Sequence, residues 1–156
     1  VEIRALSYVG IEVTDLDAWE RFATEFLGMP VVRASDDRIL LRMDERAYRF
    51  DVRRGAADRL LWLGWEVSTK AALDEAVATL RERGVEVTTA GPDETRERGV
   101  VELAAFSDPA GNRNELFYGQ EADFRPLVLS RPMAGYLTGE LGMGHAVIGV
   151  RNFREC

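Results

Sequence analysis

Tyr8-Val9-Gly10-Ile11-Glu12-Val13 returns 54 residues later as Trp62-Leu63-Gly64-Trp65-Glu66-Val67. Both stretches read aromatic, apolar, Gly, apolar, Glu, Val. Self-similarity at a fixed spacing marks a repeated structural unit. After the first stretch come Thr14 and Asp15, residue types that cap helix N-termini. Leu16, Trp19, Phe22, Ala23 and Phe26 then recur at helical spacing, and Gly28 supplies a stop. The second copy repeats this with Ser68 and Thr69, then Leu73, Ala76, Val77 and Leu80. It closes at Gly84, two residues later than strict register. Strand-like segments follow each helix. In the first copy they are Val31-Val32, Ile39 to Met43 and Tyr48 to Val52, with Asp44 to Ala47 as the turn. In the second they are Val85 to Thr88, Val100 to Phe106 and Glu115 to Tyr118. The last two are joined by Asp108-Pro109-Ala110-Gly111-Asn112, where Pro and Gly suit a turn. Each copy is thus predicted to be β-α-β-β-β.

A single such module leaves one sheet face bare. Two modules side by side cover each other. The expectation is an α+β fold: two βαβββ modules, residues 1–54 and 55–119, forming an eight-stranded paired sheet with a cleft and helices outside. From Gly119 the texture changes, with Pro126, Pro132, Gly135, Gly139, Gly142 and Gly144 punctuating the chain. Residues 120–144 read as a linker laid over the domain. His145-Ala146-Val147-Ile148-Gly149-Val150 then aligns with Tyr8 to Val13, and Asn152-Phe153 with Asp15-Leu16. Residues 145–156 therefore read as the first strand of a third module, and more chain is expected after Cys156.

Bulk properties narrow the function classes. The chain has 156 residues, is 46% hydrophobic and 30% charged, and carries a formal net charge of −7. Such an acidic surface repels phosphate backbones and anionic lipid, which argues against nucleic-acid and membrane partners. The one cysteine, Cys156, allows no disulfide within the chain, and a reducing cytoplasm is compatible with that. No apolar run is long enough to span a bilayer.

The repeat, the closing Asp108-Pro-Ala-Gly-Asn-Arg-Asn-Glu-Leu-Phe-Tyr-Gly119 and the string Leu137-Thr-Gly-Glu-Leu-Gly-Met-Gly-His145 resemble the vicinal oxygen chelate superfamily. Within it, Ile3 to Tyr8, Asp58 to Leu61 and the linker string resemble the two-domain extradiol dioxygenases that cleave biphenyl-2,3-diol or steroid catechols. The resemblance implies an N-terminal pair of modules without metal, followed by a C-terminal pair holding Fe(II) through two His and one Glu. It implies that His145 is the first iron ligand of the full-length enzyme, with the other ligands and the catalytic base beyond Cys156. It further implies a catechol substrate and O2, a role in aromatic or steroid degradation, and a homo-oligomer. A two-His-one-carboxylate face leaves coordination positions open for diol and O2, and a base assists deprotonation of the diol.

This chain has a single His, so the triad cannot be met by one copy of it, and no catalytic residue or bound cofactor is expected within it. In the first two modules the position aligned with His145 is Tyr8 and Trp62. The last-strand ligand position keeps Glu115 in the second module and falls at or near Arg49 in the first. Glu115 reads as part of a salt bridge. Tyr8, Trp62 and Trp65 read as core that fills the cleft. Asp93 to Arg98 reads as a solvated loop or short helix, and Gly139 to Gly144 as linker, since it lacks the flanks of a phosphate loop. Two other functions fit the same residues: a stand-alone, metal-free small-molecule binder of the glyoxalase/bleomycin-resistance type, and an inter-chain metal site with His145 donated in trans.

Overall fold

The computed structural model describes residues 2–154, so Cys156 lies outside the described residues. The first repeat opens with β1 (Ile3–Val13), rich in β-branched and apolar residues that suit a half-buried strand. Asp15 caps α1 (Leu16–Arg21) by accepting a hydrogen bond from the Ala18 amide at 2.8 Å. The helix widens into a π-helical turn over Phe22–Leu27 and stops at Gly28, whose φ of 76° is left-handed. Then come β2 (Val31–Ser35), β3 (Arg38–Leu41) and β4 (Phe50–Arg54). The second repeat has β5 (Arg59–Val67), α2 (Lys70–Glu82) capped by Thr69, β6 (Thr88–Thr89), α3 (Pro92–Arg98), β7 (Glu102–Ser107) and β8 (Arg113–Tyr118).

The strands form one eight-stranded sheet in the order β2-β3-β4-β1-β5-β8-β7-β6. Each module's last strand runs parallel to its own first strand, β4 beside β1 and β8 beside β5. The modules join through β1 and β5, which pair antiparallel with Tyr8 opposite Gly64, Val9 opposite Leu63 and Gly10 opposite Trp62. The repeated hexapeptides therefore meet about a pseudo-twofold axis at Val9 and Leu63. Two βαβββ modules in an α+β domain are what the repeat predicts.

The two faces of the sheet are packed differently. One carries α1 over Val13, Ile39, Leu41 and Val52, and α2 over Val67, Ala104 and Leu116. Between the helices lie Leu6, Val9 and Leu63, overlaid by Met143 and Ile148 from the tail. The opposite face holds Tyr8, Tyr48, Trp62 and Phe117, closed by the end of α3 and by Val100 and Leu103. Several residues between 120 and 144 bond to the two modules. Ala47 N–H donates to Glu121 O and Asp123 N–H to Glu45 O, and Arg131 and Tyr136 donate to the Phe26 and Leu27 carbonyls at the end of the π turn.

Two local expectations are corrected. Of Val85 to Thr88 only Thr88 lies in a strand, β6. Val85 N–H bonds Leu80 O and Arg81 bonds Val87 O, which ties this segment to the end of α2 instead of the sheet edge. The Asp44–Ala47 turn is part of a longer loop, because Arg42, Asp44 and Arg49 fold it inward as an ionic cluster. Residues 145–150 pair with no strand among the described residues. Ile148 of this segment packs against the cluster of Leu6, Val9 and Leu63.

Candidate functional site

The face opposite α1 and α2 is where the strands of both modules aim their repeated aromatic residues. Tyr8 on β1 lies over Gly64 of β5, and Trp62 on β5 lies over Gly10 of β1. A Cβ on either glycine would fall inside the opposite ring, so each module's glycine makes room for the other module's aromatic residue. Tyr8 stacks on Phe117 with centroids 4.8 Å apart and tilts against Tyr48 at 5.5 Å. Tyr8 and Phe117 are fully buried. Of the three rings expected to fill the cleft, Tyr8 and Trp62 do so. Trp65 instead faces the helix side, where it lines an apolar groove with Leu80, Leu116 and Ile148, and its indole N–H donates to Asn114 at 2.8 Å.

Two carboxylates with no exposed surface lie beside these rings. Glu115, on β8, pairs in register with Gly64, and Asp51, on β4, pairs with Gly10. Asp51 is therefore the first-module counterpart of Glu115. This corrects the expectation of Arg49, which faces Asp44 at 2.6 Å and the Ser7 hydroxyl at 2.8 Å. Sequence reasoning missed Asp51 because it stands 41 residues after Gly10 whereas Glu115 stands 51 after Gly64. The second module accommodates α3 between β6 and β7, which breaks the fixed offset. Strand register was the signal that could have found it.

Both carboxylates are saturated by guanidinium groups. Asp51 accepts from Arg38 (both bonds 2.9 Å) and from Arg53 at 2.8 Å. Glu115 accepts from Arg98 at 3.0 and 3.2 Å, from Arg113 at 2.9 Å and from the Tyr8 hydroxyl at 2.8 Å. Arg113 also meets Glu94, and Arg53 meets Glu97, both on α3. The Arg98 guanidinium stacks 3.6 Å from the Trp62 ring centre, with Arg53 at 4.8 Å. Buried charge is tolerated because each ion has an opposite partner in hydrogen-bonding range. Burial pushes the Arg98 pKa down, but the Glu115 carboxylate more than restores it, so Arg98 is held charged. Burial, reinforced by the Glu115 charge, raises Tyr8 far above an ordinary phenol, and burial with Asp51 raises Tyr48.

Such a face does not suit metal chemistry. The carboxylate oxygens point at arginines, and Tyr8 and Trp62 occupy the first-strand positions. Among the described residues no three His, Cys, Asp or Glu side chains are grouped to hold an ion. His145 is exposed on the tail beside Met143 and Ile148, on the other side of the sheet from Glu115. The residues of this face do not fit Fe(II), and no reaction step can be built on them. No helix among the described residues is long and apolar enough to cross a membrane.

Comparison with known proteins agrees with the repeat. Residues 6–55 match the family described as Dihydroxybiphenyl dioxygenase BphC D1. The chain is 40% identical over 151 residues to biphenyl-2,3-diol 1,2-dioxygenase of Sphingomonas paucimobilis, covering 95% of this chain and 50% of that protein. It is 40% identical to 3-methylcatechol 2,3-dioxygenase of Pseudomonas putida, covering 96% of this chain and 52% of that protein. Among solved structures, a catechol 2,3-dioxygenase superposes with a TM-score of 0.95 at 35% identity, over 99% of this chain and 56% of that one. The chain spans about half the length of the curated relatives it matches.

Proposed function

We propose, from the premise that the chain belongs to the BphC-type extradiol dioxygenases as their N-terminal domain, that it is the non-catalytic portion of an Fe(II)-dependent ring-cleavage enzyme. The full protein would open a catechol-type aromatic diol with O2 in aromatic or steroid degradation. Residues 1–54 and 55–119 are the two supporting modules, 120–144 the linker, and 145–156 the start of the catalytic domain. His145 is the first iron ligand of the full-length protein, and its partner ligands lie outside this chain. The observation that carries this reading is the match of nearly the whole chain to one half of catechol-cleaving relatives. The cleft supports it, because its own ion pairs and rings occupy the space in which a reaction centre would have to sit. That filling also disfavours a stand-alone small-molecule binder.

The test compares the 156-residue chain with the native gene product by intact mass, iron content and ring cleavage of 2,3-dihydroxybiphenyl. The chain at 17.5 kDa is expected to carry no iron and yield no yellow product. The native protein is expected to be heavier, to carry iron and to cleave the diol, and His145→Ala in it is expected to lose both. A 17.5 kDa protein that binds iron and cleaves the diol would overturn the proposal.

A further inference from the structure

We infer that the face opposite α1 and α2 contains a binding site for an alkylguanidinium cation, and that Arg98 of α3 occupies it as a tethered ligand. The inference stands on side-chain geometry and is independent of the ring-cleavage reading. A guanidinium site needs a carboxylate presenting two oxygens, an aromatic face to stack on, and exclusion of water. All three converge on Arg98. Glu115 takes its Nε and Nη2 through separate oxygens, at 3.0 and 3.2 Å. The Trp62 ring lies 3.6 Å from its central carbon. The Arg98 side chain is 5% exposed and Glu115 is not exposed at all.

The floor of the site belongs to the sheet, whereas the ligand belongs to the helix. Trp62 is fixed over Gly10, and Glu115 is oriented by the Tyr8 hydroxyl and Arg113. Arg98 ends a seven-residue helix bounded by Gly91 and by Gly99, the latter in left-handed conformation with φ 61°. The Tyr48 hydroxyl fastens that end by donating to Arg98 O at 2.9 Å. Among the described residues Arg98 Nη1 has no hydrogen-bond partner, and the Glu97 carboxylate lies 3.4 Å from it. Glu115 and the Trp62 face supply the recognition, and the backbone of α3 supplies the tether. In the intact chain the site is full. Without the Arg98 side chain its preorganised floor accepts a free cation of the same shape.

The experiment uses the native protein carrying Arg98→Ala, with ethylguanidinium as the probe because it replaces the atoms removed. Thermal unfolding is followed at probe concentrations well below those at which guanidinium denatures proteins. The variant is expected to show a saturable rise in Tm, about 3–5 °C at a tenfold excess over the dissociation constant. The unaltered protein should show no rise, and neither should the variant with tetramethylammonium or sodium chloride at equal ionic strength. Equal responses of both proteins, or none in the variant, overturn the inference. A second measurement needs no variant to fold. In the unaltered protein the Arg98 Nε–H should exchange slowly with water and show an upfield ring-current shift that Trp62→Leu removes. Fast exchange at an unstructured chemical shift overturns the inference as well.

Discussion

Gly10 and Gly64 show how a repeat becomes an interface. Neither has positive φ, so backbone freedom is not what selects them. Space selects them, because the ring of Trp62 or Tyr8 occupies the volume of a side chain at each position. Gly10→Ala or Gly64→Ala is expected to destabilise the domain by about 2–3 kcal/mol through overpacking, measured by urea unfolding. The cause can be isolated with a cycle. Tyr8→Ala should relieve part of the Gly64→Ala penalty, leaving a coupling of at least about 1 kcal/mol. Strict additivity would show that the ring is not what forbids the methyl group. The aromatic-x-Gly spacing was legible in the sequence as a repeat. Its purpose was not, because the ring and the glycine it covers come from different copies and meet only through the Tyr8–Gly64 register.

At the scale of elements, the helix signals were local and therefore readable. Asp15 and Thr69 stand where capping residues were expected, and Gly28 and Gly84 terminate the helical segments with φ of 76° and 79°. Thr69→Ala removes the acceptor for the Ala72 amide and is expected to cost about 1 kcal/mol. Hydrogen exchange should quicken in the first turn of α2 before it does in the sheet. Uniform exchange rates across α2 and β5 would show that the cap does not act locally. The sheet edges were less readable. Val85 to Thr88 has the composition of a strand, yet most of it is tied to the C-terminal end of α2, where carbonyls need donors. Residues 145–150 carry a strand pattern without a strand partner among the described residues. A β pattern states which side chains alternate and leaves open whether a neighbour exists.

At the scale of the molecule, buried ionisable groups should confine stability to a broad middle range of pH. Burial raises the Asp44 carboxyl, but hydrogen bonds from Arg49 and Thr138 outweigh it and leave the pKa below the ordinary aspartate value. Asp123 is lowered too, chiefly by its hydrogen bonds with Arg125. Carboxylates lowered in the folded state stabilise it above their unfolded pKa of about 4, and this is lost as pH falls through the folded values. Tyr8 and Tyr48 are raised. Their contribution is intact below the unfolded phenol value of about 10 and is lost as pH rises beyond it. Urea unfolding as a function of pH should therefore show a plateau with an acid and an alkaline limb. Asp44→Asn should make the acid limb shallower, and Tyr48→Phe the alkaline one. If Tyr48→Phe leaves the alkaline limb unchanged, the buried phenol does not set it.

The duplicated βαβββ unit, the ends of the two longer helical segments and the aromatic filling of the cleft could all be read from the sequence. Those follow from periodicity, capping chemistry and residue size, all carried within one short segment. The sequence also determined that His145 has no second histidine beside it in this chain. Only the tertiary structure decided that Asp51, and not Arg49, is the counterpart of Glu115, that four arginines neutralise these carboxylates, and that Arg98 reaches the face of Trp62. The physical reason is range. Helix caps and hydrophobic periods act over a few residues. An ion pair between α3 and β8, or a ring laid over a glycine 56 positions away in the chain, depends on strand register and on the loops that set it.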